Sequence, residues 1–196
     1  MEALILVDIQ NDFCPGGSLA VGEGDRVVPV LNELQKKFEL VVATKDWHPP
    51  NHSSFESLWP PHCVQGTAGA EFVAGLDTSR LAHVFLKGTD VEVDSYSGFY
   101  DNEHRRATGL GDYLRARGVT RVTVAGLATD YCVKFTALDA LRLGFETTVV
   151  EDACRGVEVN AGDTARAVEE MRAAGARVVE SRAILEGARR AESSAA

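Results

Sequence analysis

The chain has 196 residues, one domain's worth by length, enough to bury a core without disulfide or metal staples. Hydrophobic residues make up 45% and charged residues 25%, which excludes wholesale disorder. Asp and Glu total 29 against 20 Lys and Arg, a formal net charge of −9, and the densest basic pairs, Arg105-Arg106 and Arg189-Arg190, form no stripe. That balance argues against nucleic acid and anionic membrane surfaces as partners.

Residues 3–7 read as a buried strand and residues 39–44 as another. Between them Val27, Leu31, Leu34 and Phe38 recur at helical spacing, with Asp25 as N-cap and Pro29 holding the helix start close to itself. Residues 83–86 form a third strand candidate. A helix is expected over 105–117, stopped by Gly118, followed by a strand at 121–125. The rhythm repeats with a helix over 130–143 ending at Gly144, a strand at 145–150, a helix over 161–174 and a short strand at 177–179. Apolar strands alternating with helices predict an α/β fold: a three-layer αβα arrangement around a mostly parallel, Rossmann-like sheet. One domain over 1–185 is expected, with a flexible tail at 186–196 that has few large apolar residues.

Residues 45–75 break the rhythm. They hold four prolines, both tryptophans and three of the five histidines. A long irregular stretch in a compact domain is usually functional, and this one starts at a strand's carboxyl end, where open parallel sheets bind ligands. Asp46 and His48 leave an extended backbone on the same side, and His62 follows a stiff Pro-Pro pair. One carboxylate and two imidazoles suit a divalent ion of the zinc, iron or manganese type, while ordinary hydrogen-bonded loop histidines are the plain alternative. His52 is expected to be a hydrogen-bonding partner. Ser54, Glu56 or water would complete the metal shell.

Four cysteines, Cys14, Cys63, Cys132 and Cys154, are widely spaced with no CxxC pair. The first residues show no cleavable leader and no apolar run of membrane-spanning length, so a cytoplasmic protein with reduced thiols is expected. Cys132 stands out because it follows a strand and opens a helix. A helix N-terminus favours thiolate and offers free N–H groups to an oxyanion. Burial as a small structural hydrophobe is the alternative. Asp8 and Lys87 each end an apolar strand, which places base, cation and thiol on one sheet edge; on their own, each reads equally as solvated surface.

These pieces occur together as Asp8-Ile-Gln-Asn-Asp-Phe13, Asp46-Trp-His48-Pro, Trp59-Pro-Pro-His62-Cys, Lys87-Gly88, Tyr96-Ser-Gly-Phe99 and Gly126-Leu-Ala-Thr-Asp-Tyr-Cys132-Val. In this order they resemble the nicotinamidase/pyrazinamidase group of the isochorismatase-like cysteine hydrolases. The resemblance implies a catalytic triad of Asp8, Lys87 and Cys132, and metal ligation by Asp46, His48 and His62. It implies an oxyanion hole from the N–H groups of Ala128 and Cys132, after a cis peptide between Leu127 and Ala128. Phe13, Trp59, Tyr96 and Leu127 would contact the substrate. The cofactor implied is one divalent ion, zinc first, with iron or manganese as alternatives. The partner implied is a small carboxamide: nicotinamide, and pyrazinamide with it, would become the acid plus ammonia. A relative acting on another small amide or carbamoyl compound, or a non-catalytic binding module on the same fold, are the rival readings. An isochorismatase proper lacks the nucleophilic Cys.

Overall fold

The computed structural model describes residues 1–193. Among them six strands, β1 (Glu2–Val7), β2 (Leu40–Asp46), β3 (Leu81–Lys87), β4 (Arg121–Leu127), β5 (Glu146–Arg155) and β6 (Arg177–Val179), form one parallel sheet in the order β3-β2-β1-β4-β5-β6. β1 is central, and its run Ala-Leu-Ile-Leu-Val is fully buried because helices cover both faces of the sheet. Edge strand β3 is only partly covered. The fold is the expected three-layer αβα arrangement.

Helix α1 (Val28–Gln35) carries Pro29 in its first turn, where the missing N–H costs nothing. Asp25 does not cap it; it sits in a separate tight turn, Gly24–Val27. The single turn α2 (Ser54–Ser57) lies in the long loop. Helix α3 spans only Leu110–Ala116, not 105–117. The missing length has a cause: the Asp101 carboxylate accepts the N–H groups of Arg105 and Arg106, giving them a partner outside any helix. Helices α4 (Lys134–Arg142) and α5 (Asp163–Ala173) pack together, as do α1 and α6 (Ser181–Ser193). α6 therefore runs into the segment expected to be a flexible tail; residues 194–196 lie outside the described residues. No helix among the described residues is long and apolar enough to cross a membrane.

The strand order reverses between β1 and β4, the switch point at which a crevice opens beyond the carboxyl ends of an open sheet. Gly126 lets the two strands meet there: a Cβ on it would stand 2.2 Å from the Val7 carbonyl oxygen.

Candidate active site

Asp8 is the first residue beyond β1 and is fully buried, with a left-handed φ of 50° that Asp tolerates better than most residues. Its Oδ1 accepts a 2.6 Å hydrogen bond from the Thr44 hydroxyl. Its Oδ2 lies 2.8 Å from the Lys87 ammonium without an aligned hydrogen bond, so it keeps acceptor capacity. Lys87 ends β3 in register with Asp46, which ends β2. The Lys87 ammonium donates to Asp46 Oδ1 at 2.5 Å, to the Ser95 carbonyl at 2.9 Å and to Cys132 Sγ at 3.3 Å. Cys132 sits in a wide turn after β4, Thr129–Val133, in which the Val133 N–H bonds back to the Ala128 carbonyl. The peptide bond between Leu127 and Ala128 is cis. One oxygen each of Asp8 and Asp46 and the Cys132 sulfur lie within 4.8 Å of one another.

This cluster sets the protonation states. Burial pushes the Asp8 carboxyl up to about 6, with Lys87 offsetting only part of the effect. Burial also opposes the Lys87 charge, but Asp46 and Asp8 outweigh it and hold the ammonium above the ordinary lysine range. For Asp46 burial is likewise overcome, by Lys87, His48 and His62, and its carboxyl stays well below the usual range. The thiolate expected from a helix terminus is not what the surroundings favour. Cys132 is 6% exposed and precedes α4 in a wide turn, and burial lifts its thiol well above the normal value despite Lys87. The resting sulfur is a thiol that needs a base beside it.

The metal-type donors converge as expected. Asp46 Oδ2 lies 3.7 Å from His48 Nε2 and 4.0 Å from His62 Nε2, all three side chains being buried. Each imidazole turns its other nitrogen to a carbonyl, His48 Nδ1 to Gly88 at 2.9 Å and His62 Nδ1 to Pro60 at 2.8 Å. A carbonyl can only accept, so both Nδ1 atoms donate and both Nε2 atoms are turned toward Asp46, the side from which an ion would take their lone pairs. Two imidazoles presenting Nε2 and a carboxylate, with open space beside them, fit a divalent ion. Gly88 is required here: its φ is +62°, and a Cβ would stand 2.4 Å from His48 Cε1. His52 is a hydrogen-bonding partner, with its Nδ1 2.7 Å from the Ser54 hydroxyl, and burial lowers its pKa. Glu56 is exposed.

The residues that hold this loop escaped the sequence reading as functional, although they lie inside the quoted Asp8–Phe13 stretch. Buried Gln10 donates to the carbonyls of Asp46 (2.8 Å) and Ala70 (2.9 Å) and accepts the Asp46 N–H (2.8 Å). Asp12 accepts the N–H of Cys63, next to His62, at 2.7 Å. The usable signal was a run of polar residues directly after a fully apolar strand, where exposure would be expected and burial demands partners.

The crevice is walled by Phe13, Trp59, Tyr96 and Tyr131 and floored by Cys132, Ala128, Asp46 and His62. The Trp59 indole donates to the Tyr96 hydroxyl at 3.3 Å, and Tyr131 meets Trp59 edge-on. Leu127 is not brought to this wall: as the last residue of β4 its side chain is fully buried toward Gly24. Asp8, Lys87 and His48 lie behind the lining, out of the crevice. Leu19, Val157 and Asp94 complete it, the last supplying a carboxylate that no motif marked. A roomier groove of about 780 Å3 lies at the amino ends of the strands, but neither thiol nor imidazole lines it.

The isochorismatase domain model matches residues 2–183 of the chain. The nicotinamidase of Escherichia coli is 49% identical over 197 residues, covering 89% of this chain and 92% of that protein. The nicotinamidase/pyrazinamidase of Mycobacterium tuberculosis is 46% identical, covering 91% and 98%. Among solved structures, the pyrazinamidase of Pyrococcus horikoshii in complex with zinc superposes with a TM-score of 0.82 at 47% identity, covering 91% of this chain and 98% of that one.

Proposed function

The chain belongs to the isochorismatase family, and on that premise we propose that it hydrolyses nicotinamide, and pyrazinamide with it, to the acid and ammonia through a thioester on Cys132. The observation that carries the reading is the placement of the Cys132 sulfur. It floors an aromatic crevice, with Lys87 Nζ 3.3 Å behind it and an Asp8 oxygen within 4.8 Å.

Asp8 takes the thiol proton as the sulfur attacks the carboxamide carbon, and Lys87 steadies the negative charge passing between them. The N–H groups of Ala128 and Cys132 receive the charge that develops on the carbonyl oxygen; losing one such donor costs roughly 3 kcal/mol of barrier. Asp8 then gives its proton to the departing nitrogen, and ammonia leaves. Asp8 next takes a proton from an entering water, whose oxygen attacks the thioester carbon. The acid departs as the sulfur recovers a proton.

Phe13, Trp59 and Tyr96 hold a flat ring by stacking and edge contacts. Asp46, His48 and His62 would hold the divalent ion, zinc by preference with iron or manganese as alternatives, and when bound it supplies a Lewis-acid position for the ring nitrogen. A small carbamoyl compound would leave both the aromatic walls and this donor set unused. Four free buried cysteines suit a reducing compartment, and we assign the chain to the cytoplasm.

The test is ammonia release from a panel of amides, with and without a chelator, together with metal analysis. Nicotinamide should lead the panel, and chelation should cut its turnover by about 100-fold, reversibly on adding zinc. Preference for a non-aromatic amide, or turnover indifferent to stringent chelation, would overturn the assignment.

A further inference from the structure

One wall of the crevice, half-buried Val157, stands on the loop 156–162 between β5 and α5. That loop is held from the nucleophile's own turn. Asp130 is buried two residues before Cys132, and its two carboxylate oxygens accept successive N–H groups of the loop, Val157 on Oδ1 and Glu158 on Oδ2, both at 2.9 Å. Hydrogen bonds to a carboxylate are stronger than those between neutral groups. Here they accompany a left-handed φ of 55° at Glu158, a region that a long side chain keeps only where its surroundings fix it. The Glu158 carboxylate in turn accepts the N–H groups of Gly162 at 2.9 Å and Thr164 at 2.8 Å, which closes the loop onto the first turn of α5. The turn that carries Cys132 has its own support, since the Tyr131 and Val133 N–H groups bond back to the Ala128 carbonyl.

We propose that Asp130 is a positioning residue: its carboxylate ties Val157 to the turn that carries Cys132 and so fixes the wall against which the substrate ring packs. Losing the tie frees the loop and leaves the nucleophile's turn in place, so binding of the ring suffers and bond-making does not. The kinetic readout rests on the function proposed above; the tie itself does not.

Asp130→Asn keeps the side chain's shape and leaves an acceptor for one of the two N–H groups. It should raise KM for nicotinamide about tenfold, with kcat changed less than about threefold. In amide hydrogen exchange the Val157 and Glu158 N–H groups of this variant should exchange about tenfold faster, while those of β1 and β4 keep their protection. Val157→Ala removes the wall alone and should raise KM comparably; adding Asp130→Asn to it should change KM less than about twofold. Glu158→Ala leaves both backbone N–H groups on Asp130 and should keep KM within about twofold of wild type. An unchanged KM in Asp130→Asn or Val157→Ala, a kcat loss of about tenfold, additive effects, or Glu158→Ala as damaging as Asp130→Asn would each overturn the inference. Should Asp130→Asn fail to fold, exchange in the wild type decides: the Val157 and Glu158 amides should exchange about 100-fold more slowly than that of exposed Val159, and equal rates would overturn the tie. Wild type that hydrolyses no nicotinamide would overturn the proposed function alone, since exchange still decides the role of Asp130.

Discussion

The two halves of the site are built in different ways. The thiol half stands on the sheet: Asp8 and Lys87 are strand-end residues and Cys132 follows a third strand, so strand register sets their spacing. The half that would hold metal and ring stands on loops, pinned by side-chain bonds from Gln10 and Asp12. Bond-making chemistry needs positions good to a fraction of an ångström, which a packed sheet edge supplies. Recognition tolerates a loop, provided its backbone is satisfied elsewhere. Asp46 belongs to both halves, as the end of β2, a partner of Lys87 and a donor facing two imidazoles.

Cutting one half at a time tests this division. Cys132→Ala should lower ammonia release by about 10^4-fold or more while leaving folding and zinc binding intact; residual turnover within tenfold of wild type would break the covalent reading. Lys87→Ala strikes the joint between the halves by leaving two buried carboxyl groups without their cation. Urea denaturation should show a loss of about 3–5 kcal/mol. Gln10→Ala touches only the loop half and should cost about 1–3 kcal/mol, because the Asp46 backbone loses its buried partners. It should weaken zinc binding, and an unaltered chelator competition curve would show that the loop holds itself. The smallest effect is on pH. Asp8 must be ionised to accept the thiol proton, and its carboxyl titrates at about 6. The kcat/KM profile should therefore fall tenfold per unit as pH drops below about 6 and level off above it. An acid limb near pH 4 would mean a carboxyl in ordinary surroundings.

Much of this was legible in the sequence because apolar strands announce their own ends. Asp8, Asp46, Lys87 and Cys132 each follow such a run, and parallel strands must deliver them to one edge. The side-chain stitching was not legible, since nothing in Gln-Asn-Asp says which carbonyl 36 residues away will be met. The start of α3 was misread for a related reason: Asp101 captures N–H groups that helical periodicity assigned to a helix. The charge state of Cys132 depends on how completely its neighbours exclude water, a property of packing that position in the chain does not encode. The helical run through α6 likewise has no large-apolar signal beyond residue 186.

The hidden placement of Asp8 and Lys87 has a bearing on survival under oxidative stress. Peroxide attacks thiolates, and low-pKa exposed cysteines are the first oxidised toward sulfenic and sulfinic acid. Here only the sulfur faces the crevice; the groups that would ionise it stand behind, and burial keeps the resting thiol protonated. An aromatic amide seated in the proposed site would present its carbonyl carbon to that sulfur, whereas a diffusing oxidant meets a buried thiol in a narrow cleft. On that arrangement, inactivation by hydrogen peroxide should be slower than for an exposed low-pKa thiol, which a peroxide time course with and without a bound amide would measure.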